Sequence, residues 1–270
     1  MKRSVSVVAL CLLLSAATAF AGPPHAADDA VTDDAVTVAV GSIEVELNGS
    51  YAYSDRTNDG VNTQQHLFDG SVKIITGLYK DWAISLEVPY TFSERVRKAE
   101  QLDSDIEGFG DMTLEVKWAF AELAGIKFAI KPTVIIPTGR YSAGLSEGRW
   151  QPGVVLIATR EFEGGTYALH ANLGYEHHSY RTGGAQAENR SGLLSGSIAG
   201  EAVLLKGLFI TADFGLSTNQ DKTSNVVPVY AMTGASYEIN KHLDANVGIK
   251  VGLTRAEDDV TALYGLVLKF

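Results

Sequence analysis

From Leu243 to Thr254 apolar and polar residues take turns without a break. Leu243, Ala245, Val247, Ile249, Val251 and Leu253 fall on one parity, and Asp244, Asn246, Gly248, Lys250, Gly252 and Thr254 on the other. A period of two is the signature of a strand with one apolar and one polar face. The same alternation runs through Ile43–Tyr53, Trp82–Ser93, Asp111–Trp118 and Val260–Phe270. Extended along the chain, it predicts twelve strands at about 42–54, 65–78, 82–93, 109–120, 126–137, 150–160, 166–179, 192–204, 208–217, 226–238, 243–254 and 260–270. The sixth and tenth alternate least cleanly, because Val154–Ile157 and Val226–Val229 are mixed runs.

The connections between these strands sort into two kinds that interleave strictly. Tyr79–Asp81, Ala121–Gly125, Glu161–Gly165, Leu205–Gly207 and Ile239–His242 are short. The segments 55–64, 94–108, 138–149, 180–191, 218–225 and 255–259 are mostly longer and more polar. Short turns at one end and longer loops at the other belong to a barrel across the bacterial outer membrane. Strand length agrees, since a tilted strand needs about 9–11 residues to cross the hydrocarbon, whereas soluble strands most often have about 5–6.

The polar parity carries Glu44, Glu46, Asp69, Lys73, Glu87, Asp111, Glu115, Lys117, Lys127, Lys131, Asp213, Asp244 and Lys250. A water-filled lumen accepts such residues, but the core of a small soluble barrel does not. Tyr51, Tyr53, Trp82, Tyr90, Phe92, Trp118, Phe120, Tyr175 and Tyr264 lie mostly near strand ends, where rings meet the membrane interface. The last strand alternates to the final residue, and its Tyr264, Leu266, Leu268 and Phe270 have the form of the signal read by the outer-membrane assembly machinery. The expected fold is therefore all-β: a 12-stranded antiparallel transmembrane β-barrel of the bacterial outer membrane over residues 42–270, with short turns and both termini in the periplasm.

Composition narrows the function. The 270 residues carry 32 Asp and Glu against 22 Lys and Arg, a net charge of −10. No basic surplus exists to neutralise phosphates, so no nucleic-acid partner is expected. Lys2 and Arg3, the apolar run Val5–Leu14 and the small-x-small stretch Ala19-Phe20-Ala21 read as a signal peptide spanning residues 1–21, cleaved after Ala21. The single cysteine, Cys11, lies inside that run. The exported chain then has no thiol for a disulfide, a metal or a nucleophile. Residues 22–41, with Asp28, Asp29, Asp33 and Asp34 among Ala, Val and Thr, read first as a periplasmic lead. The sharper alternative is a short plug entering the barrel from below.

Candidate chemistry is sparse. His177-His178-Ser179 is the one stretch that hints at catalysis. With His177 and Ser179 outward and Asn189 in support, it resembles the arrangement of outer-membrane phospholipase A, and the serine would meet lipid esters directly. The six histidines show no metal-ligand spacing, and no cofactor is expected. Asp111 and Glu115 lie four apart on one strand, too far for a carboxylate pair. With Lys73, Lys117, Lys127 and Lys131 they read as a mixed-charge lumen, which either ties the inner wall together without an open channel or, if the lumen is open, sets the selectivity of the path at a ring near Glu87, Asp111, Glu115 and Lys117.

Gly108-Phe109-Gly110-Asp111 opens the fourth strand, Val88-Pro89-Tyr90 lies late in the third, Pro137-Thr138-Gly139 closes the fifth and Trp150-Gln151-Pro152-Gly153 opens the sixth. This succession resembles the outer-membrane "transporter" family named for the MetA pathway of phenol degradation. The resemblance implies a barrel that passes small, often aromatic or apolar compounds. The function expected is passive uptake or efflux of a small-molecule solute, with outer-membrane lipid and the assembly machinery as partners and no enzymatic activity. A lipid hydrolase using His177 and Ser179, or a closed structural barrel, are the alternatives.

Overall fold

The computed structural model describes residues 32–58 and 60–270. The signal peptide, its cleavage site and the first part of the lead lie outside the described residues. Thirteen strand segments follow in chain order: β1 Ile43–Asn58, β2 Val61–Tyr79, β3 Trp82–Lys98, β4 Gln101–Phe109, β5 Met112–Leu123, β6 Ile126–Ile136, β7 Gln151–Phe162, β8 Tyr167–His177, β9 Gly192–Leu205, β10 Leu208–Ser217, β11 Val229–Asn240, β12 Leu243–Gly252 and β13 Val260–Lys269. Each pairs antiparallel with its neighbours, and β13 returns to β1 from Val260↔Tyr53 down to Lys269↔Glu44. Closure leaves the ring of staves without an edge, as a lipid environment requires; β4, paired with β3 alone, keeps one free edge.

The wall has twelve staves because β4 and β5 share one. β3 pairs with β5 over Trp82–Glu87 and hands over to β4 from Tyr90 onward. The break between them is Gly110-Asp111, held to the wall by Gly110 N–H donating to the Pro89 carbonyl at 3.1 Å. The segments 55–64 and 94–108, expected as loops, are thus mostly strand. They prolong β1–β2 and β3–β4 into a polar arm beyond the lipid. Both faces of the arm are wet, so it shows no apolar parity and escapes a pattern search. The backbone ladder holds it, and exposed cross-strand ion pairs decorate it, Arg95–Asp105 at 3.1 Å and Lys98–Asp103 at 2.8 Å. Ala99 and Glu100 close it with φ of 48° and 66°, the double left-handed geometry of a two-residue hairpin turn.

The two irregular strands form where expected, as β7 and β11. Among the longer loops, 138–149 folds back over the barrel end and buries Leu145 and Ser146. The loop 180–191 contains a one-and-a-half-turn helix, α1 Gly183–Glu188, capped by the Thr182 hydroxyl accepting from Ala185 N–H.

Parity sorts the two faces as the pattern predicts. Leu47, Val72, Ile74, Leu86, Leu173, Ile198, Val247 and Leu266 stand exposed on the outer wall, while Glu46, Lys73, Glu87, Glu115, Lys131 and Asp213 are buried on the inner one. Two aromatic clusters mark the lipid band on β2–β5. Trp82 stacks on its register partner Trp118 near the short turns, with centroids 4.9 Å apart. Tyr90, Phe92, Phe68 and Phe109 cluster eight residues further along β3, roughly 26 Å of strand before tilt. At a strand tilt of about 35–45° this is roughly 20 Å along the membrane normal, somewhat less than an apolar band about 25 Å tall.

The seam between first and last strands is tightly fitted. Phe270 and Ile43 exchange two backbone hydrogen bonds. Above them the Tyr264 ring lies across Gly49, so close that a Cβ on Gly49 would fall 2.3 Å from the ring. Glycine is needed there because the ring occupies the side-chain space of its neighbour.

Candidate functional site

The inner wall of β1–β6 gathers alternating charges on adjacent strands. Register places Glu46, Lys73 and Glu87 on one rung of β1, β2 and β3, and Ser85 beside Glu115 on β3 and β5. Lys73 Nζ lies 2.5 Å from Glu115 Oε2, which also accepts from the Ser85 hydroxyl at 2.9 Å. Lys131 of β6 reaches the other Glu115 oxygen at 3.4 Å. Buried charges persist only when paired and hydrogen-bonded. Here the pairing is completed by a residue that the wall does not supply.

That residue is Asp33. Its Oδ1 accepts from Lys117 Nζ at 2.7 Å and its Oδ2 lies 3.0 Å from Lys131 Nζ. A continuous chain Lys73–Glu115–Lys131–Asp33–Lys117 results. Lys117 also donates to the Asp34 carbonyl at 3.1 Å. The segment carrying Asp33 runs across the lumen to the opposite wall. Thr32 N–H donates to Asp213 Oδ2 at 2.8 Å, and the Thr32 hydroxyl to Ser197 Oγ at 2.6 Å. Ala35 N–H donates to Thr159 Oγ1 at 2.9 Å, and that hydroxyl is shared with His170. The Asn172 amide, with its nitrogen turned to the Asp33 carbonyl, brackets both backbone groups of Asp33. Near the short turns the segment returns to the wall, with Gly41 N–H donating to the Gly77 carbonyl at 2.9 Å. A cavity of about 110 Å³ remains beside the charge chain, bordered by Asp34, Thr37, Glu44 and Ile75.

The thirteen charged positions expected on the inner face are spread along it, and Asp111 stands apart from Glu87, Glu115 and Lys117, with which a ring was expected. Glu44, Glu46, Lys73, Glu87, Glu115, Lys117 and Lys131 share the cluster or its border. Asp111 is engaged elsewhere: it accepts from Gly139 N–H at 2.8 Å and from the Ser146 hydroxyl at 2.9 Å, clamping the 138–149 loop. Lys127 sits at the rim, paired with Glu161 at 2.8 Å. Asp244 meets Lys269 at 2.5 Å near the short turns. Lys250 lies 3.6 Å from Glu257 and over the Tyr230 ring. Asp69 is buried toward the arm, across from Ser50. Asp213 meets Thr32 and the Tyr230 hydroxyl, the latter at 3.0 Å. Thr159, His170, Asn172, Ser197 and Tyr230 were not singled out by charge, although they carry the same inward parity.

The hydrolase constellation does not assemble. His177 ends β8 on the exposed outer face, whereas its neighbour His178 is buried and bonded to Glu176 at 2.9 Å. Asn189 caps α1 by donating its amide to the Ala185 carbonyl. No hydrogen bond links His177 to Ser179 or Asn189 among the described residues. Nor do the described residues hold a group of His, Asp or Glu able to bind a metal.

Among solved structures the fold is similar to the COG4313 outer membrane channel from Pseudomonas putida F1. Identity is 13%, covering 88% of this chain and 98% of that one, with a TM-score of 0.72. It is also similar to the translocator domain of the autotransporter NalP from Neisseria meningitidis (11% identity, 85% and 88% covered, TM-score 0.51). A third likeness is to the KdgM porin (11% identity, 85% and 99% covered, TM-score 0.52). At these identities the likeness is one of fold: a closed outer-membrane barrel of twelve staves. No curated protein matches the sequence. The family described as "Putative MetA-pathway of phenol degradation" matches residues 28–270, so the chain belongs to that family.

Proposed function

We propose that this protein is a passive outer-membrane channel for small molecules, aromatic or apolar compounds among them, and that residues 32–41 are its plug. The observation that carries the reading is Asp33. A buried carboxylate from outside the wall completes an ion-pair chain of wall lysines. A barrel meant only to be solid has no need of an ion-paired segment at its centre, since apolar packing would serve stability as well. The family description supports an aromatic solute, and the similar structure from Pseudomonas putida is itself described as a channel. The signal peptide ends at Ala21 in this reading, Tyr264, Leu266, Leu268 and Phe270 form the assembly signal, and the barrel has no catalytic role.

Planar bilayers test the reading. The wild type should conduct in small, infrequent steps, and Asp33→Ala should raise the open fraction. Silence of both would favour a closed structural barrel. A phospholipase assay with calcium, expected to release no fatty acid, separates the hydrolase. Cysteines at Lys80 and Ser142 should label from outside intact cells only at Ser142, which fixes the orientation.

A further inference from the structure

The outer wall carries one oddity. Read by register, the outward positions of the wall below the polar arm hold a single charged side chain among the described residues, Arg160. It lies on β7 at the short-turn end, directly across from Ile126, the first residue of β6. The neighbouring lysine, Lys127, is turned inward onto Glu161 and leaves the rim's outer face to Arg160. The guanidinium rests over the Phe162 ring, 4.9 Å from its centroid. No carboxylate pairs with it among the described residues.

Beside Arg160 the wall is hollowed. Ala158 pairs with Ala171, and Gly200 pairs with Ala212, which leaves a floor with almost no side chains. Leu169 and Ile198 stand up from it, 55% and 61% exposed, and Phe214 closes the far side. The trough measures about 480 Å³. It is apolar along its length and cationic at one end.

We propose that this trough is a phospholipid site. The phosphate sits on Arg160, and one acyl chain lies along Ala158, Ala171, Gly200 and Ala212. A planar guanidinium matches phosphate oxygens two at a time. An arginine at the membrane interface is stable when its head meets a headgroup and its stem lies along the apolar wall. The trough runs into the hydrocarbon from the phosphate level, which is the shape of a lipid and not of a soluble anion. The proposal rests on the outer-membrane placement and not on an open lumen, so a silent bilayer leaves it standing.

Native mass spectrometry of the purified barrel in mild detergent, titrated with phosphatidylglycerol, tests it. The wild type should retain one lipid. Arg160→Ala should lower retention about tenfold, the loss of a charge-assisted contact. Arg160→Lys should recover part of it, because a point charge replaces a fork. Ala171→Phe should also displace the lipid, by filling the floor while leaving Arg160 in place. Gel migration of unheated samples shows that each variant is folded. Equal retention by wild type and Arg160→Ala would overturn the site. So would full retention by Ala171→Phe, or binding of inorganic phosphate with the same dependence on Arg160.

Discussion

Asp33 Oδ2 lies 3.0 Å from Lys131 Nζ, and the two belong to different parts of the molecule: one to the segment crossing the lumen, the other to its wall. Asp33→Asn keeps the shape and removes the charge. It should weaken the docking of the segment by about 1.5–3 kcal/mol, the worth of hydrogen bonds to a charged group. The channel open fraction in bilayers should rise roughly 10- to 100-fold, the same energy expressed as a ratio. Lys131→Gln is a poorer test, because it also strips Glu115 of a partner.

The outer wall is tested at Val247, outward on β12 and register partner of Tyr264. Val247→Arg should cost about 2–4 kcal/mol in unfolding from vesicles, because the charge lies at mid-membrane. Val247→Leu should be silent. The inward neighbour Asn246 is not the free position that alternation alone suggests. It is buried, and its side chain crowds Gly265. Asn246→Arg should therefore also destabilise, by overpacking and not by lipid exposure.

The seam supplies a double-mutant cycle. Gly49→Ala should destabilise by about 1–3 kcal/mol, because the Tyr264 ring must move. In the Tyr264→Ala background the same change should cost much less. Additive losses in chemical denaturation would show that the ring does not need the glycine.

In the polar arm, Gln64 and Asn62 donate to the Asp55 carboxylate and hold its pKa below the ordinary 3.8. A depressed folded pKa gives a contribution present above the unfolded value and lost as pH falls through the folded one. The arm tip should therefore be unchanged from neutral pH down to about 3.8 and loosen only below it. A carboxyl titration of Asp55 by NMR checks this, and a midpoint above 3.8 would contradict the bonding.

The lipid-facing parity of Trp82–Phe92 or Leu243–Val251 was legible because lipid on one side and lumen on the other impose opposite chemistry at every step. Where both faces meet water, as from Glu94 to Gly108, that contrast vanishes and the strands cannot be seen in the pattern. Asp33 was obscure for another reason. Among Ala, Val and Thr an acidic pair reads as solvated chain, and its partners Lys117 and Lys131 lie on strands far along the sequence. Asp111 shows the converse. Its inward parity was legible, but its duty to Gly139 and Ser146 depends on how a loop folds back.

The exchange of partners on β3 at Pro89 has a consequence for how this protein can change over evolution. Above the aromatic cluster of Tyr90, Phe92 and Phe109 the ladder of β3 and β4 lies beyond the lipid and is not paired to β5. Paired residues can be added or removed around Ala99 and Glu100 without altering the number of staves, their tilt or the bore. The arm is thus a graftable handle: its surface can drift while the conduit beneath keeps its dimensions.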